Sequence, residues 1–478
     1  MQRKSVLAKT VLKNTIYYSS SILAVNLISL LVIIFLARIL KPELFGIYSL
    51  SIAIISLFLI LADLGINSAT TRYIAEAISK NDKSLAASYS RFFLSLKLLL
   101  SFLIVFFVLL LSPKLSEIFD KPIKEPLMVL SLFLFFISIN NLFNAMANAM
   151  NDFRINLLNS VLQNSSKLFF TVALVLLGLS LFGAILALII SSLLAMAFSI
   201  YYVSRNYGFL FEKGRKFQKS NVLRFIVFTA ATSITWTVFA NVDIVMIGFF
   251  LSSEEVAFYR ASFSIISAAI GIVSFPTVLL PVFVKLEGDD LKRAFARIFK
   301  YSSALCIPAA FGIAMIAENL LLFAYGIDYI SGLEAMRILS TLLISPVFGI
   351  YGSIFSSKEK PELIFYPMSL SMFLNVILNW LMIPIYGING AAIATVISNV
   401  VFWSLLTLIC AREFEIIPNL YHLVKPTISS IVMLIVGVNV DSTIFVIPIS
   451  ILVYSVFMFL IRGITREDVN FILSIAKL

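Results

Sequence analysis

Residues 36–77 read LARILKPELFGIYSLSIAIISLFLILADLGINSATTRYIAEA, and they decide the class of fold. An apolar helix ends at Leu36-Ala37-Arg38, and a short turn follows at Lys41-Pro42-Glu43. A second long apolar helix then runs from Leu44 through Asp63 to a charged end at Arg72 and Glu76. The rest of the chain repeats this helix pair, lines it or marks its sidedness.

Composition sets the solvent. Of 478 residues, 60% are hydrophobic and only 13% are charged, with a mean hydropathy of +1.03. A water-soluble core cannot hide that much apolar surface, and apolar runs of about 20 residues recur along the chain, so the solvent is lipid. The runs lack the alternation that a lipid-facing strand requires. The expectation is an all-α polytopic membrane protein with fourteen spans. They fall at 15–37, 44–66, 89–112, 126–149, 155–178, 181–203, 221–250, 255–284, 300–324, 334–356, 361–384, 388–410, 424–438 and 443–461. The basic N-terminus precedes an apolar run longer than a signal-peptide core and is read as a retained first span.

Lysine and arginine give the orientation. With the N-terminus inside, 26 of the 36 basic residues fall in inner segments and 5 in outer ones. The inner set includes Arg3, Lys4, Lys9, Lys13, Lys216, Lys285, Arg466 and Lys477. Both termini are therefore expected in the cytoplasm. The same asymmetry accounts for the net charge of +11 without a nucleic-acid partner.

An internal repeat of about 210 residues is visible. YSLSIAIIS from Tyr48 aligns with YRASFSIIS from Tyr259, and LFGAILALIIS, containing Gly183, aligns with INGAAIATVIS, containing Gly390. Six spans per unit is an even number, so the two halves share one orientation, as parallel repeats facing a common cleft do. The expected organisation is a six-helix bundle over 1–205, a basic cytoplasmic linker over 206–220 and a second bundle over 221–411. Two further helices and a tail occupy 412–478.

Ionisable and polar groups inside spans normally face a watery cavity. Lys167 lies about 18 Å into its span at ~1.5 Å per residue, with Asn156, Ser160 and Gln163 on the same face. This stripe is read as cavity lining for phosphate or acidic sugar; the alternative is a helix contact in which Lys167 pairs with a buried carboxylate. Asn140, Asn144 and Asn148 share a face, with Asn141 and Asn151 beside them, and suit either sugar hydroxyls or a neighbouring helix. Asn375 and Asn379 form a weaker matching pair. Lys97 is a second deep lysine. Asp63 and Asp243 either bind a coupling ion, proton or Na+, or neutralise a lysine or arginine. Arg72, Arg260 and Arg337, at span ends, either snorkel to the interface or recognise phosphate.

Several chemistries are disfavoured. No GxxxxGK[ST] motif occurs, and no soluble domain is available to hold one. His422 has no HExxH or cysteine companion, Asp289-Asp290 reads as a helix start, and Cys306 and Cys410 read as core. No resident cofactor or metal is expected. The longest polar connections are about 16–20 residues, short for a membrane-embedded polymerase or ligase.

The turn LARxLxPxxFGxY, with LADLGINSATTRYIAE after it, resembles the polysaccharide-biosynthesis flippase family. NVDIVMIGFFLSSEEVAFY at 241–259 and YGINGAAIATVIS at 386–398 resemble its later landmarks. In the second half, Ala257-Phe258-Tyr259 stands where the first has Phe45-Gly46-Ile47-Tyr48, so the repeated turn is only partly kept. The resemblance implies a MATE-like fold of the multidrug/oligosaccharidyl-lipid/polysaccharide (MOP) exporter superfamily. It also implies a transporter rather than an enzyme, in the cell membrane. The cargo would be a polyprenyl-(pyro)phosphate-linked oligosaccharide, handled amid membrane lipids and polysaccharide assembly enzymes. An ion-coupled multidrug exporter of the same superfamily is the nearest rival, and a glycan polymerase or ligase the second.

Overall fold

At Lys41, φ is 61° and ψ 169°, an excursion that breaks one helical path in two immediately before Pro42. The computed structural model describes residues 2–215, 217, 219–274, 283, 286–358, 360, 362–440, 443–465 and 468. For residues 2–26, 219–221, 228, 443 and 444 it describes the backbone alone. Residues 275–282 and 284 of the expected span 255–284 lie outside the described residues. So do Lys216, Lys285, Arg466 and Lys477 of the basic set.

The described residues form helices and no strand. In chain order these are α1 (Gln2–Asp63), α2 (Ile66–Ser79), α3 (Lys83–Phe119), α4 (Lys124–Ala149) and α5 (Arg154–Leu174). Then come α6 (Ser180–Asn206), α7 (Lys219–Phe250), α8 (Ser253–Val273), α9 (Gly288–Tyr325) and α10 (Leu333–Leu339). Last are α11 (Ser345–Ser357), α12 (Glu362–Phe414), α13 (Tyr421–Val438) and α14 (Thr443–Leu460).

Among these residues, ten helical stretches are long and apolar enough to cross a bilayer, and Phe445–Leu460 is a shorter apolar helix. Three of the ten, Leu27–Ser79, Arg154–Asn206 and Glu362–Phe414, are 53 residues long, well beyond the ~20 that one crossing needs. Each is broken, at Lys41, Gly178 and Gly387 respectively. Gly178 (φ 89°) and Gly387 (φ 60°) hold backbone that a side chain would strain. They stand 209 positions apart, close to the offset of the sequence repeat. The Lys41 break and the α7–α8 corner at Ser252 are likewise 211 apart.

The expected span 334–356 is not one regular helix. It is α10, a tight 3-10 stretch at Ser340–Ile344 and then α11. Pro346 lacks an amide proton and its ring cannot follow an unbroken turn, so the helix restarts with proline in its first turn.

Contacts divide the chain into two compact units. One comprises Ala24–Arg260 and Val376–Ile388, the other Met1–Leu23, Ala261–Asn375 and Asn389–Leu478. The core of the first joins α2, α3, α4 and α7 through residues such as Ile66, Phe93, Leu142, Met146 and Ile226. Helices in lipid gain little from hydrophobic burial against each other, so close packing and interhelical hydrogen bonds hold them together. Accordingly α3 buries Ala86, Ala87, Ser90 and Ser101, and Ser101 shares a 2.9 Å hydrogen bond with Ser138 of α4. The second unit packs α9, α11 and α12 around Phe295, Phe299, Tyr351 and Cys410.

Two details of the first unit hold the chain just after the Lys41-Pro42-Glu43 turn. A Cβ on Gly46 would sit 1.8 Å from the Ser253 carbonyl oxygen, so α1 and the α7–α8 corner meet backbone to side with no room for a methyl group. That corner is itself capped. The Ser252 amide donates to Glu255 Oε2 (3.2 Å) and the Glu255 amide to Ser252 Oγ (3.4 Å), a capping box.

Candidate functional site

α5 carries the polar face. Leu157, Leu158, Val161, Ser165 and Phe169 are exposed and form one side of the helix, the side a lipid-contacting surface requires. Asn159, Gln163 and Lys167 follow one another at four-residue spacing on the opposite side, with Asn156, Ser160 and Asn164 flanking them. Gln163 and Lys167 are half-buried. Among the described residues no carboxylate lies within ion-pair distance of Lys167. Of the two outcomes foreseen for this lysine, pairing with a buried carboxylate is absent among those residues. Lys167 is half-buried on the side of α5 opposite its exposed apolar residues.

The asparagines of α4 meet α5 instead of standing alone. Asn159 Nδ2 donates to Asn140 Oδ1 at 2.6 Å and to Asn144 Oδ1 at 3.0 Å. Nearer the helix ends, Asn156 Nδ2 donates to Asn148 Oδ1 at 2.7 Å. Asn140 and Asn159 are 2% exposed, whereas Asn144 is half-buried. Asn159 Oδ1 is buried and accepts no hydrogen bond among the described residues. Asn159 was not among the residues singled out from sequence, although its spacing of four from Gln163 and eight from Lys167 marks it as part of the same stripe.

Lys97 and Asp63 are brought together. The lysine ammonium donates to Asp63 Oδ1 at 2.5 Å, with the side chains 1% and 17% exposed. Of the two readings of Asp63, neutralising a lysine matches this geometry. Asp243, also buried, accepts from Tyr259 Oη at 2.9 Å and Asn379 Nδ2 at 2.7 Å. The remaining cations are dispersed. Arg72 is exposed, and its guanidinium lies 4.4 Å from the centre of the Phe225 ring and 5.9 Å from that of Tyr73, within cation–π range. Arg260 is half-buried beside Tyr259. Arg337, in the other unit, pairs with Glu334 at 2.6 Å.

Two further features of the first unit were not foreseen. Lys121, in the α3–α4 turn, donates to the carbonyls of Gly248 and Leu251 at 2.7 Å each and of Phe119 at 3.1 Å, and so caps the end of α7. Asp152, in the α4–α5 turn, accepts from Tyr202 and Tyr207 hydroxyls at 2.7 and 2.8 Å. Partial burial pushes its carboxyl up, but the two tyrosine bonds, the Arg154 amide and the Arg154 charge outweigh that and hold it below its usual range. Cys306 and Cys410 are free and buried. Among the described residues no three His, Cys, Asp or Glu side chains cluster as a metal site.

A helical chain with ten stretches long and apolar enough to cross a bilayer among its described residues, and paired breaks one repeat apart, is a multi-pass membrane protein. The structure titled "Lipid II flippase MurJ, inward closed conformation" is similar with a TM-score of 0.75 at 18% identity, covering 92% of this chain and 98% of that one. An inward-facing multidrug resistance MATE family transporter is similar with a TM-score of 0.68 at 18% identity, covering 83% and 98%. The model of the polysaccharide biosynthesis protein family matches residues 11–287; the chain belongs to that family. Among curated relatives, the Haloferax volcanii protein titled "Probable low-salt glycan biosynthesis flippase Agl15" is 26% identical over 178 residues. That match spans 36% of this chain and 38% of the relative's length.

Proposed function

We propose that this protein is a flippase that carries a polyprenyl-(pyro)phosphate-linked oligosaccharide from the inner to the outer leaflet of the cell membrane, for surface polysaccharide or glycan assembly. It is a transporter that performs no catalysis. The observation that carries this reading is Lys167, a half-buried lysine on the non-lipid face of α5 with no acidic neighbour among the described residues. A lysine ammonium with no carboxylate beside it attracts phosphate and repels the cations that multidrug exporters move. The family match and the titles of its relatives support the same cargo class.

In this reading the three 53-residue helices each cross twice, which with Phe445–Leu460 makes fourteen crossings. The basic residues keep both termini cytoplasmic. Bundles 1–205 and 221–411, joined by the linker 206–220, rock to alternate access, with 412–478 appended, while the polyprenyl tail stays in lipid. Lys97 neutralises Asp63, so a coupling proton or Na+ falls to Asp243. Arg72, Arg260 and Arg337 guide the acidic head group at the cleft ends. The test is complementation of a flippase-deficient strain with wild-type protein and with Lys167→Ala. Wild type restores export of the lipid-linked glycan and Lys167→Ala loses at least tenfold. Unimpaired export by the variant overturns the cationic-cleft reading.

A further inference from the structure

We infer that the amide layer formed by Asn140, Asn144 and Asn159 is a subsite for sugar hydroxyls of the cargo, separate from the anion subsite at Lys167. The inference rests on the flippase reading and deepens it.

Asn159 Nδ2 uses both of its protons, on Asn140 Oδ1 and Asn144 Oδ1. Its own Oδ1 is left buried without a donor among the described residues. The side-chain amide protons of Asn140 and Asn144 likewise donate to no group among those residues. Three amides thus keep one acceptor and two donor groups unspent in one layer. A purely structural helix contact would satisfy Asn159 Oδ1, because an unmet buried polar atom opposes folding.

The chemistry of the missing partner follows from the unspent groups. It must donate to Asn159 Oδ1 and accept from amide protons. A hydroxyl does both; an ionised phosphate only accepts, and so leaves Asn159 Oδ1 without a donor. The layer therefore selects against the group that Lys167 selects for. The two lie on one helix face, eight residues or ~12 Å apart at ~1.5 Å per residue, a span that accommodates a phosphate at one end and a sugar one or two residues away. Asn144 is half-buried, the most exposed of the three, and Gln163 stands between Asn159 and Lys167 at four-residue spacing.

The experiment uses full-length protein in proteoliposomes with two fluorescent probes, bare polyprenyl diphosphate and polyprenyl diphosphate bearing an N,N′-diacetylchitobiose. Wild type is expected to move the sugar-bearing probe faster. Asn159→Ala should remove at least tenfold of that preference and leave the rate for bare polyprenyl diphosphate within twofold of wild type. Lys167→Ala should slow both probes. Asn144→Ala, at the half-buried position, should reproduce the loss of preference, and it decides the question if Asn159→Ala fails to yield folded protein by gel filtration. If the preference survives in Asn144→Ala and in folded Asn159→Ala while wild type transports both probes, the layer is a helix contact and the inference fails with the flippase reading intact. If wild type moves neither probe, the flippase reading itself fails and takes the subsite with it.

Discussion

The Lys97 ammonium and the Asp63 carboxylate form an ion pair at 2.5 Å, with the lysine side chain 1% exposed. Neither group tolerates its membrane-depth surroundings alone, and each cancels the other's charge. Removing one partner strands the other, at a cost of about 3–5 kcal/mol for a buried pair. Asp63→Asn should therefore lower the thermal unfolding temperature of the detergent-solubilised protein sharply. The double variant Asp63→Asn/Lys97→Met should recover most of the loss. A single variant with wild-type stability would show that the pair is dispensable.

Gly46 and Ser253 make the second prediction. Because a Cβ at position 46 would meet the Ser253 carbonyl oxygen at 1.8 Å and its carbon at 2.6 Å, the obstacle is backbone, not a movable side chain. Overpacking costs about 1–3 kcal/mol where side chains can yield, and here the upper end applies. Gly46→Ala should cost about 3 kcal/mol, and Gly46→Val should prevent accumulation of folded protein. Gel filtration and thermal melting read both. A stable Gly46→Val protein would mean that α1 and the α7–α8 corner are free to separate.

Asp152 supplies a pH dependence. Its carboxyl titrates below its unfolded value because Tyr202, Tyr207 and Arg154 favour the charged form against partial burial. A carboxylate of this kind stabilises the fold fully above about pH 4, the unfolded range. The contribution disappears as pH falls through the lower folded value. Asp152→Asn should thus melt lower than wild type at pH 7, by an amount equivalent to about 1–2 kcal/mol for lost charge-assisted bonds at a partly exposed site. The two proteins should converge as the pH is taken below 4. A constant gap at all pH values would place the effect elsewhere.

The breaks in the long helices were legible from sequence because glycine and proline announce them chemically. The expected boundaries 37/44 and 384/388 bracket Lys41 and Gly387, and the expected span 155–178 ends on Gly178. Partnerships across helices were not legible. Asp63 and Lys97 lie 34 residues apart on different helices, so no periodicity relates them, and either could have faced a cavity. The asparagines of α4 could be seen as a stripe, but their bonds to Asn156 and Asn159 depend on how α5 packs. Lys167 was readable as a deep charge; that no acidic side chain among the described residues answers it needed the fold.

Lys121 carries the last prediction. One ammonium holds three carbonyls, two of them, Gly248 and Leu251, at the end of α7, where helix carbonyls have no partner of their own and attract a cation. The tie joins the α3–α4 turn to the α7–α8 corner, and Gly46 packs on that corner from α1. Lys121→Met keeps the length of the side chain and removes the donors. It should free the end of α7 at a cost of about 1–2 kcal/mol, because the site is partly solvated and water recovers some of the bonds. Hydrogen exchange at 248–251 should accelerate at least tenfold while exchange within α4 is unchanged. Equal exchange in both proteins would show that the capping box at Ser252 and Glu255 holds the corner without Lys121.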